Sequence, residues 1–144
     1  MNTVGSARNT HVADRGVASP AVASDHRQQL GIRGEQLAAE HLTRRGFRIL
    51  ERNYRTRWGE LDIVAYDGTT IAFVEVKSRI ASPGRTPFES VHSRKRDQIR
   101  RMASSWLSDR TARPFARVLR FDAIGVTFDR AGRLVALEHL ECAF

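Results

Sequence analysis

The middle of the chain carries two apolar, β-branched segments separated by a dipeptide that strongly favours a tight turn. The segments are 59–66 (GELDIVAY) and 70–78 (TIAFVEVKS), and Asp67-Gly68 lies between them. Asp-Gly is a common pair in two-residue hairpin turns because glycine adopts positive φ angles without steric cost. The sequence therefore predicts an antiparallel hairpin, around which the rest of the fold has to be arranged.

Hydrophobic periodicity predicts further elements on both sides of this hairpin. We expect helices at about 25–45 and 88–108, and additional strands at about 47–54, 116–128 and 133–140. The order α-β-β-β-α-β-β predicts the α/β class, with a central mixed sheet flanked by helices. Residues 1–26 lack apolar periodicity, so we expect a disordered N-terminal tail followed by a single domain over 27–144.

The charge balance favours a polyanionic partner. Lys and Arg number 24 against 16 Asp and Glu, which gives a formal net charge of +8. Such a surplus points first to nucleic acid and second to an acidic membrane surface. No apolar run approaches the roughly 18–20 residues that span a bilayer, and the N-terminus has no apolar signal segment. We therefore expect a cytoplasmic protein that does not enter membranes.

Several ionisable residues are predicted to share one face of the hairpin. If the turn contains two residues, Asp62 faces Phe73, and Asp62 and Glu75 are diagonal neighbours about 7–8 Å apart. Because side chains alternate along a strand, Glu60 and Lys77 then point to the same face. A four-residue loop would preserve this common facing.

Three carboxylates on one face repel one another unless a cation lies between them. A divalent ion such as Mg²⁺ or Mn²⁺ would relieve this repulsion, and such sites are typical of enzymes that act on phosphates. A lysine beside the ion could orient a water molecule, a task that suits its compact charge better than the arginine fork. Lysine is rare here, since only Lys77 and Lys95 occur beside 22 arginines. A surface strand with a cross-strand ion pair is the alternative, and the residues alone leave both interpretations open.

The run GEQLAAEHLTRRGFRILERNYRTRWGELDIVAYDGTTIAFVEVKSR, with Val91…Lys95 and Arg120-Phe121-Asp122, carries a family resemblance. It resembles the YraN-like family of bacterial proteins, which is related to archaeal Holliday-junction resolvases and to the PD-(D/E)xK nuclease superfamily. The resemblance implies a restriction-endonuclease-like αβββαβ core. It also implies a metal-dependent endonuclease acting on DNA, including branched DNA such as a Holliday junction.

The resemblance also assigns roles to individual residues. Asp62, Glu75 and Lys77 match the catalytic motif, in which the two acids hold the metal. Glu35 matches an acid that resolvase-like members place on the first helix, where it completes the metal shell. Glu60 belongs to the family's GE-[IL]-D signature. It is either a further metal ligand or a base that contacts the metal ligands without binding the metal.

Basic residues on either side of this motif are candidates for contacts with the nucleic-acid backbone, although a solvated helix face is the simpler interpretation. Asp122 is expected either to cap a backbone segment or to pair with Arg120, and it is assigned no catalytic role. A nucleic-acid-binding protein that kept the scaffold without cutting is the main functional alternative, and a protein-interaction or lipid-interaction module is a weaker one. Resolvases act as dimers, so a homodimer is compatible with the resemblance. The candidate nucleic-acid contacts are Arg55, Arg57, Arg94, Lys95, Arg96 and Arg100.

Overall fold

The computed structural model describes residues 19–86, 88 and 93–144, with side chains in the second helix from Lys95 onward. Residues 1–18 of the predicted tail, Val91 and the side chain of Arg94 lie outside the described residues.

Two helices and five strands follow one another in the predicted order. The strands form one sheet in the order β1-β2-β3-β4-β5, in which β3 and β4 are parallel and all other neighbours are antiparallel. The predicted α/β class with a mixed sheet is therefore confirmed, and it is consistent with a nuclease-like core. The elements are α1 (Pro20–Arg44), β1 (Arg48–Thr56), β2 (Gly59–Tyr66), β3 (Thr70–Ile80), α2 (Ser93–Asp109), β4 (Val118–Phe128) and β5 (Leu134–Leu140).

Each helix covers one face of the sheet with its own apolar cluster. Alternate residues of the strands enter the two clusters, as strand geometry requires. The α1 cluster includes Leu30, Ala38, Leu42, Ile63, Ala72, Val74, Ile124 and Val126. The α2 cluster includes Tyr54, Val64, Ile71, Phe73, Ile99, Met102 and Trp106.

The first helix begins earlier than the periodicity indicates. It starts at Pro20 rather than near Asp25, so residues 20–26 are helical instead of belonging to a disordered tail. Proline is favoured in the first turn of a helix because its φ angle is already helical and its missing N–H has no partner there. The prediction relied on apolar spacing, which this exposed first stretch lacks.

The hairpin forms where Asp67-Gly68 predicts it, but with a longer turn. The Asp67 N–H donates to the Thr70 carbonyl at 3.3 Å, and the Asp67 carboxylate accepts the N–H groups of Thr69 (2.9 Å) and Thr70 (2.7 Å). These bonds hold four residues in the turn instead of two.

The longer turn shifts the register by one pair and preserves the common facing. Ile63 pairs with Val74, and continuing this register places Asp62 opposite Glu75. The expected pairing of Asp62 with Phe73, and hence the diagonal placement of the two acids, is wrong. The Asp62 carboxylate instead accepts the Val76 N–H at 2.7 Å, which places it against the backbone of β3 beside Glu75.

A glycine lets α1 approach β3 closely. Gly34 is buried, and a Cβ at this position would overlap the Ser78 hydroxyl and lie 3.1 Å from Ser78 Cβ. The Ser78 hydroxyl is itself buried and has no hydrogen-bond partner. The close approach of α1 to β3 at Ser78 therefore depends on the absence of a side chain at position 34.

We predict that Gly34→Ala destabilises the fold by on the order of 1–3 kcal/mol, because the added methyl forces helix and strand apart. Gly31→Ala is the matched control in the same helix, where nothing lies within 4 Å of an added Cβ. It should be neutral or stabilising by up to about 1 kcal/mol through helix propensity. Ser78→Ala should recover part of the Gly34→Ala loss. Urea unfolding measures all four proteins, and a Gly34→Ala protein as stable as Gly31→Ala would contradict the prediction.

Candidate metal centre

Three carboxylates from two elements meet at the end of the sheet where β2 begins. Glu35 lies on α1, while Glu60 and Asp62 lie near the start of β2. One carboxylate oxygen of each lies within 4.8 Å of the others. We call these three residues the acidic cluster. Its oxygens have the chemistry and the spacing that a hard divalent cation requires.

Asn53 on β1 holds two members of the cluster. With its side-chain nitrogen facing the acids, its amide donates to Glu60 Oε1 at 3.0 Å and to Glu35 Oε2 at 3.1 Å. The residue has a left-handed backbone with φ of 55°. Asparagine tolerates this conformation better than most residues. Sequence reasoning missed this role, because an asparagine inside a strand pattern gives no sign of its backbone conformation.

The acidic cluster is electrostatically unfavourable without a cation. Burial, followed by repulsion from the Glu75 carboxylate, raises the pKa of Asp62 to about 7. The Val76 N–H opposes this shift by donating to Asp62 Oδ2 at 2.7 Å. Burial and the neighbouring Glu60 also raise the pKa of Glu35.

Glu75 lies beside the acidic cluster and has different partners. Its side chain is 7% exposed. Its Oε1 atom forms ion pairs with Lys77 Nζ at 3.2 Å and with Lys95 Nζ at 2.9 Å. Both lysines of the chain therefore converge on one carboxylate oxygen. Lys77 lies two residues further along β3, whereas Lys95 reaches Glu75 from α2. We call these three residues the Glu75–lysine group.

Residues 34–126 match the family model described as "Uncharacterised protein family UPF0102". This chain is a member of the UPF0102 family. A UPF0102 protein of Geobacter metallireducens is 44% identical over 119 residues, which cover 83% of this chain and 94% of the relative. UPF0102 proteins of Pelotomaculum thermopropionicum (42% over 121 residues, 84% and 99%) and Moorella thermoacetica (44% over 118 residues, 82% and 97%) are similar along comparable shares.

The match confirms the YraN-like resemblance, and it spans the acidic cluster and the Glu75–lysine group. The predicted metal-binding and catalytic residues of this UPF0102 protein therefore all lie within the stretch that matches the family model. The structure places them as two adjacent groups, in which Glu75 is paired with lysines instead of forming part of the acidic cluster.

The predicted nucleic-acid contacts of this UPF0102 protein occupy several environments. Arg55 is exposed and pairs with Glu60 Oε2 at 3.0 Å, which places it at the rim of the acidic cluster. The Arg57 guanidinium lies 4.4 Å from the centre of the Trp58 ring. Both residues lie beside the turn between β1 and β2.

The other basic candidates lie on α2. Arg96 and Arg100 are exposed, and the Arg100 guanidinium lies 5.1 Å from the centre of the Phe121 ring. The Lys95 ammonium forms an ion pair with Glu75, so it points to the Glu75–lysine group in this structure. The predicted backbone contact by Arg94 falls on a side chain outside the described residues.

Asp122 pairs with Arg120 as the sequence predicts. It is fully buried and accepts two bonds from Arg120 Nε and Nη2 at 2.9 Å, a bond from His139 Nε2 at 2.9 Å, and the Cys142 N–H at 3.2 Å. Burial raises the pKa of Asp122, but the bonds from His139 and Arg120 outweigh it and hold the pKa below its ordinary value. The group joins β4 to the C-terminal residues and lies apart from the acidic cluster.

In the described part of the chain, none of the helices combines the length and the apolar character that crossing a membrane would require.

We predict that Asp62→Asn stabilises the metal-free protein at neutral and alkaline pH. The unfolded carboxyl ionises near its ordinary pKa of 3.8, whereas the folded one remains protonated up to about 7. Ionisation of Asp62 therefore lowers the stability of wild type as the pH rises from about 4 to about 7, and the variant lacks this contribution. The stability difference should be near zero at pH 4 and reach on the order of 1–4 kcal/mol above pH 7.

Chemical unfolding in EDTA across this pH range measures the effect. Asp97→Asn, which alters an exposed aspartate on α2, controls for the loss of one negative charge. Added Mg²⁺ or Mn²⁺ should then stabilise wild type more than Asp62→Asn. A variant less stable than wild type at pH 8 in EDTA would contradict the prediction.

Proposed function

We propose that this protein is a cytoplasmic, metal-dependent endonuclease that hydrolyses DNA phosphodiesters, with branched DNA such as a Holliday junction as its preferred substrate. The observation that carries the proposal is the acidic cluster beside the Glu75–lysine group, in a chain with a net charge of +8. An acidic site within a basic protein fits a polyanionic substrate that is held by arginines and processed at a cation.

The residues present fit a divalent cation. Glu35, Glu60 and Asp62 would hold Mg²⁺ or Mn²⁺, and Glu75 would add a fourth carboxylate from the neighbouring strand. Burial raises the pKa of both Asp62 and Glu35, and repulsion from neighbouring carboxylates adds to it, so a bound cation would relieve a cost that the folded protein bears. When bound, the ion would polarise a phosphodiester and lower the pKa of a coordinated water.

Lys77 is the residue best placed to act on the attacking water. Its ammonium lies 3.2 Å from Glu75 Oε1, and its side chain remains 42% exposed, so it faces both the site and the solvent. A compact charge there would orient water and stabilise the negative charge that develops on the phosphate. Lys95, which is 26% exposed and bound to the same oxygen, would fix the position of Glu75 from the other side.

Arginines around the site would bind the DNA backbone. Arg55 and Arg57 lie next to the acidic cluster, and Arg96 and Arg100 line the exposed side of α2. About five phosphate contacts would reduce affinity by on the order of 10²–10³ between 50 and 200 mM salt.

One observation favours a non-cutting nucleic-acid-binding protein as the second candidate. Lys77 and Lys95 both pair with Glu75 Oε1, so protein groups balance the charge of this carboxylate. Such a protein would bind DNA with the same salt dependence and leave it intact.

We predict that wild type cuts labelled four-way junctions in Mg²⁺ or Mn²⁺ and that Lys77→Ala lowers the cleavage rate by roughly 10²-fold or more, because the charge at the attacking water is lost. Flap, duplex and single-stranded DNA run in parallel establish the preferred substrate. EDTA and Asp62→Asn should abolish cutting, while Arg113→Ala, which removes an exposed arginine beyond the end of α2, should preserve it. Binding affinity at fixed salt should change little in Lys77→Ala.

The outcomes separate the two candidates. Cleavage that persists in EDTA or in Lys77→Ala would overturn the metal-nuclease proposal. Tight, salt-sensitive binding without cleavage of any of the four substrates would establish the binding protein instead.

A further inference from the structure

The turn between β1 and β2 is held by hydrogen bonds of its own and by a side chain of α2. The Thr56 hydroxyl accepts the Trp58 N–H at 3.1 Å and donates to the Gly59 carbonyl at 3.0 Å. Gln98 on α2 donates from its side-chain amide to the Trp58 carbonyl. An added Cβ at Gly59 would lie 2.8 Å from that amide nitrogen, so the turn and the helix are in close contact. Both backbone groups of Trp58 are therefore bonded, which fixes the point from which its indole ring projects.

Trp58 differs from the other tryptophan of the chain in its surroundings. Trp106 is 2% exposed, and its indole N–H donates to Glu51 Oε2 at 2.6 Å. Trp58 packs against the α2 cluster but is only partly buried. The guanidinium of the exposed Arg57 lies 4.4 Å from the centre of the Trp58 ring. The ring thus has a flat face that is covered by an exposed cation, and a contact of this kind is weak enough to be exchanged.

The Trp58 ring borders a groove of about 360 Å³ that follows one face of α2. The other residues that line this groove carry hydroxyl groups or charges, and they are Arg101, Ser104, Ser105, Ser108 and Asp109. Asp109, the acid in this lining, accepts the Tyr54 hydroxyl. An aromatic ring beside hydroxyl groups and an arginine suits a nucleotide, because the ring can stack on a base while the polar groups contact sugar and phosphate.

A row of α2 side chains links this groove to the candidate site. Lys95, Gln98 and Arg101 follow one another at intervals of three residues, and side chains with this spacing are neighbours on a helix surface. Lys95 pairs with Glu75, while Gln98 binds the Trp58 carbonyl. The Trp58 turn therefore contacts α2 about one helical turn from the Glu75–lysine group.

We propose that Trp58 stacks on an unpaired nucleobase of the DNA, next to the phosphodiester at the candidate metal centre. The base takes the ring face that Arg57 covers, and the released guanidinium pairs with a neighbouring phosphate. Inside a duplex the faces of the bases are stacked on one another, so the ring selects single-stranded segments and branch points, where stacking is interrupted. The inference rests on the proposed function for the choice of DNA as partner, and it names the part of the substrate that is recognised.

Binding of single-stranded oligonucleotides in EDTA tests the stacking without cleavage. Trp58→Ala should weaken the affinity for an oligothymidylate by roughly 5- to 150-fold, the range for loss of one stack between a base and an aromatic side chain. Trp58→Phe should recover most of this loss, and all three proteins should bind a blunt duplex equally. Phe115→Ala removes another exposed aromatic side chain (80%) and should leave both affinities unchanged. Equal affinity of wild type and Trp58→Ala for the single strand would contradict the proposal.

Intrinsic fluorescence gives a readout on the wild-type protein that does not require the alanine variant to fold. Trp58 and Trp106 are the two tryptophans of the chain, and the buried Trp106 serves as an internal reference. Oligothymidylate should quench the emission of wild type and not that of Trp58→Phe, which comes from Trp106. An abasic oligonucleotide with the same number of phosphates should not quench either protein. Equal quenching by the abasic strand would refute stacking and leave a phosphate contact in its place.

Arg57→Ala tests which face of the ring the base takes. Quenching should persist in this variant, and the slope of log affinity against log salt should fall by roughly 0.7, the value for one phosphate on a single strand. Loss of quenching would show that the base stacks on the guanidinium and would overturn the assigned face.

The inference and the proposed nuclease activity can fail separately. A protein that shows base-dependent quenching but cuts none of the DNA substrates would keep the stacking site and lose the nuclease function. A metal-dependent nuclease whose emission is indifferent to the bases would keep the function and lose the stacking site.

Discussion

The close packing of α1 on β3 at Gly34 determines where the candidate site can form. A side chain at this position would overlap Ser78, so the glycine allows the helix backbone to approach the strand. Glu35, the next residue, is thereby brought within 4.8 Å of carboxylates on β2. The approach leaves a buried serine hydroxyl without a hydrogen-bond partner. Such a defect costs stability, and its presence beside the site indicates that placement of the helix takes priority over packing.

The site divides into two regions of opposite electrostatic character. In the acidic cluster, burial and mutual repulsion disfavour ionisation, and a pKa of about 7 for Asp62 expresses that cost. On the neighbouring strand β3, Glu75 is buried, and its carboxylate pairs with two ammonium groups. The first region brings three carboxylates together, whereas the second places two ammonium groups beside one carboxylate. Under the proposed function, a phosphodiester lying across both regions would meet carboxylates on one side and the two lysine ammonium groups on the other.

The existence of the hairpin and the shared face of its acids could be read from the sequence, because Asp67-Gly68 and strand alternation act locally. The register could not, since it depends on how the Asp67 side chain bonds the Thr69 and Thr70 amides. Glu35 was identified through family resemblance alone, because its proximity to Asp62 arises from helix–strand packing. The Lys95–Glu75 pair was not predicted because only the tertiary fold joins α2 to β3. Asn53 was not predicted because a strand pattern does not reveal the left-handed backbone of this residue.

The convergence of both lysines on Glu75 has a consequence for the chemical reactivity of the protein. Apart from the N-terminal amine, Lys77 and Lys95 are the only primary amines in the chain, and both are partly accessible. Reagents that modify amines, or enzymes that acetylate or methylate lysine, would therefore act almost entirely on this site. In most proteins amine chemistry is spread over the surface. Here, acylating one ammonium would remove a positive charge from beside a buried carboxylate, so a general modification would have a local and specific effect.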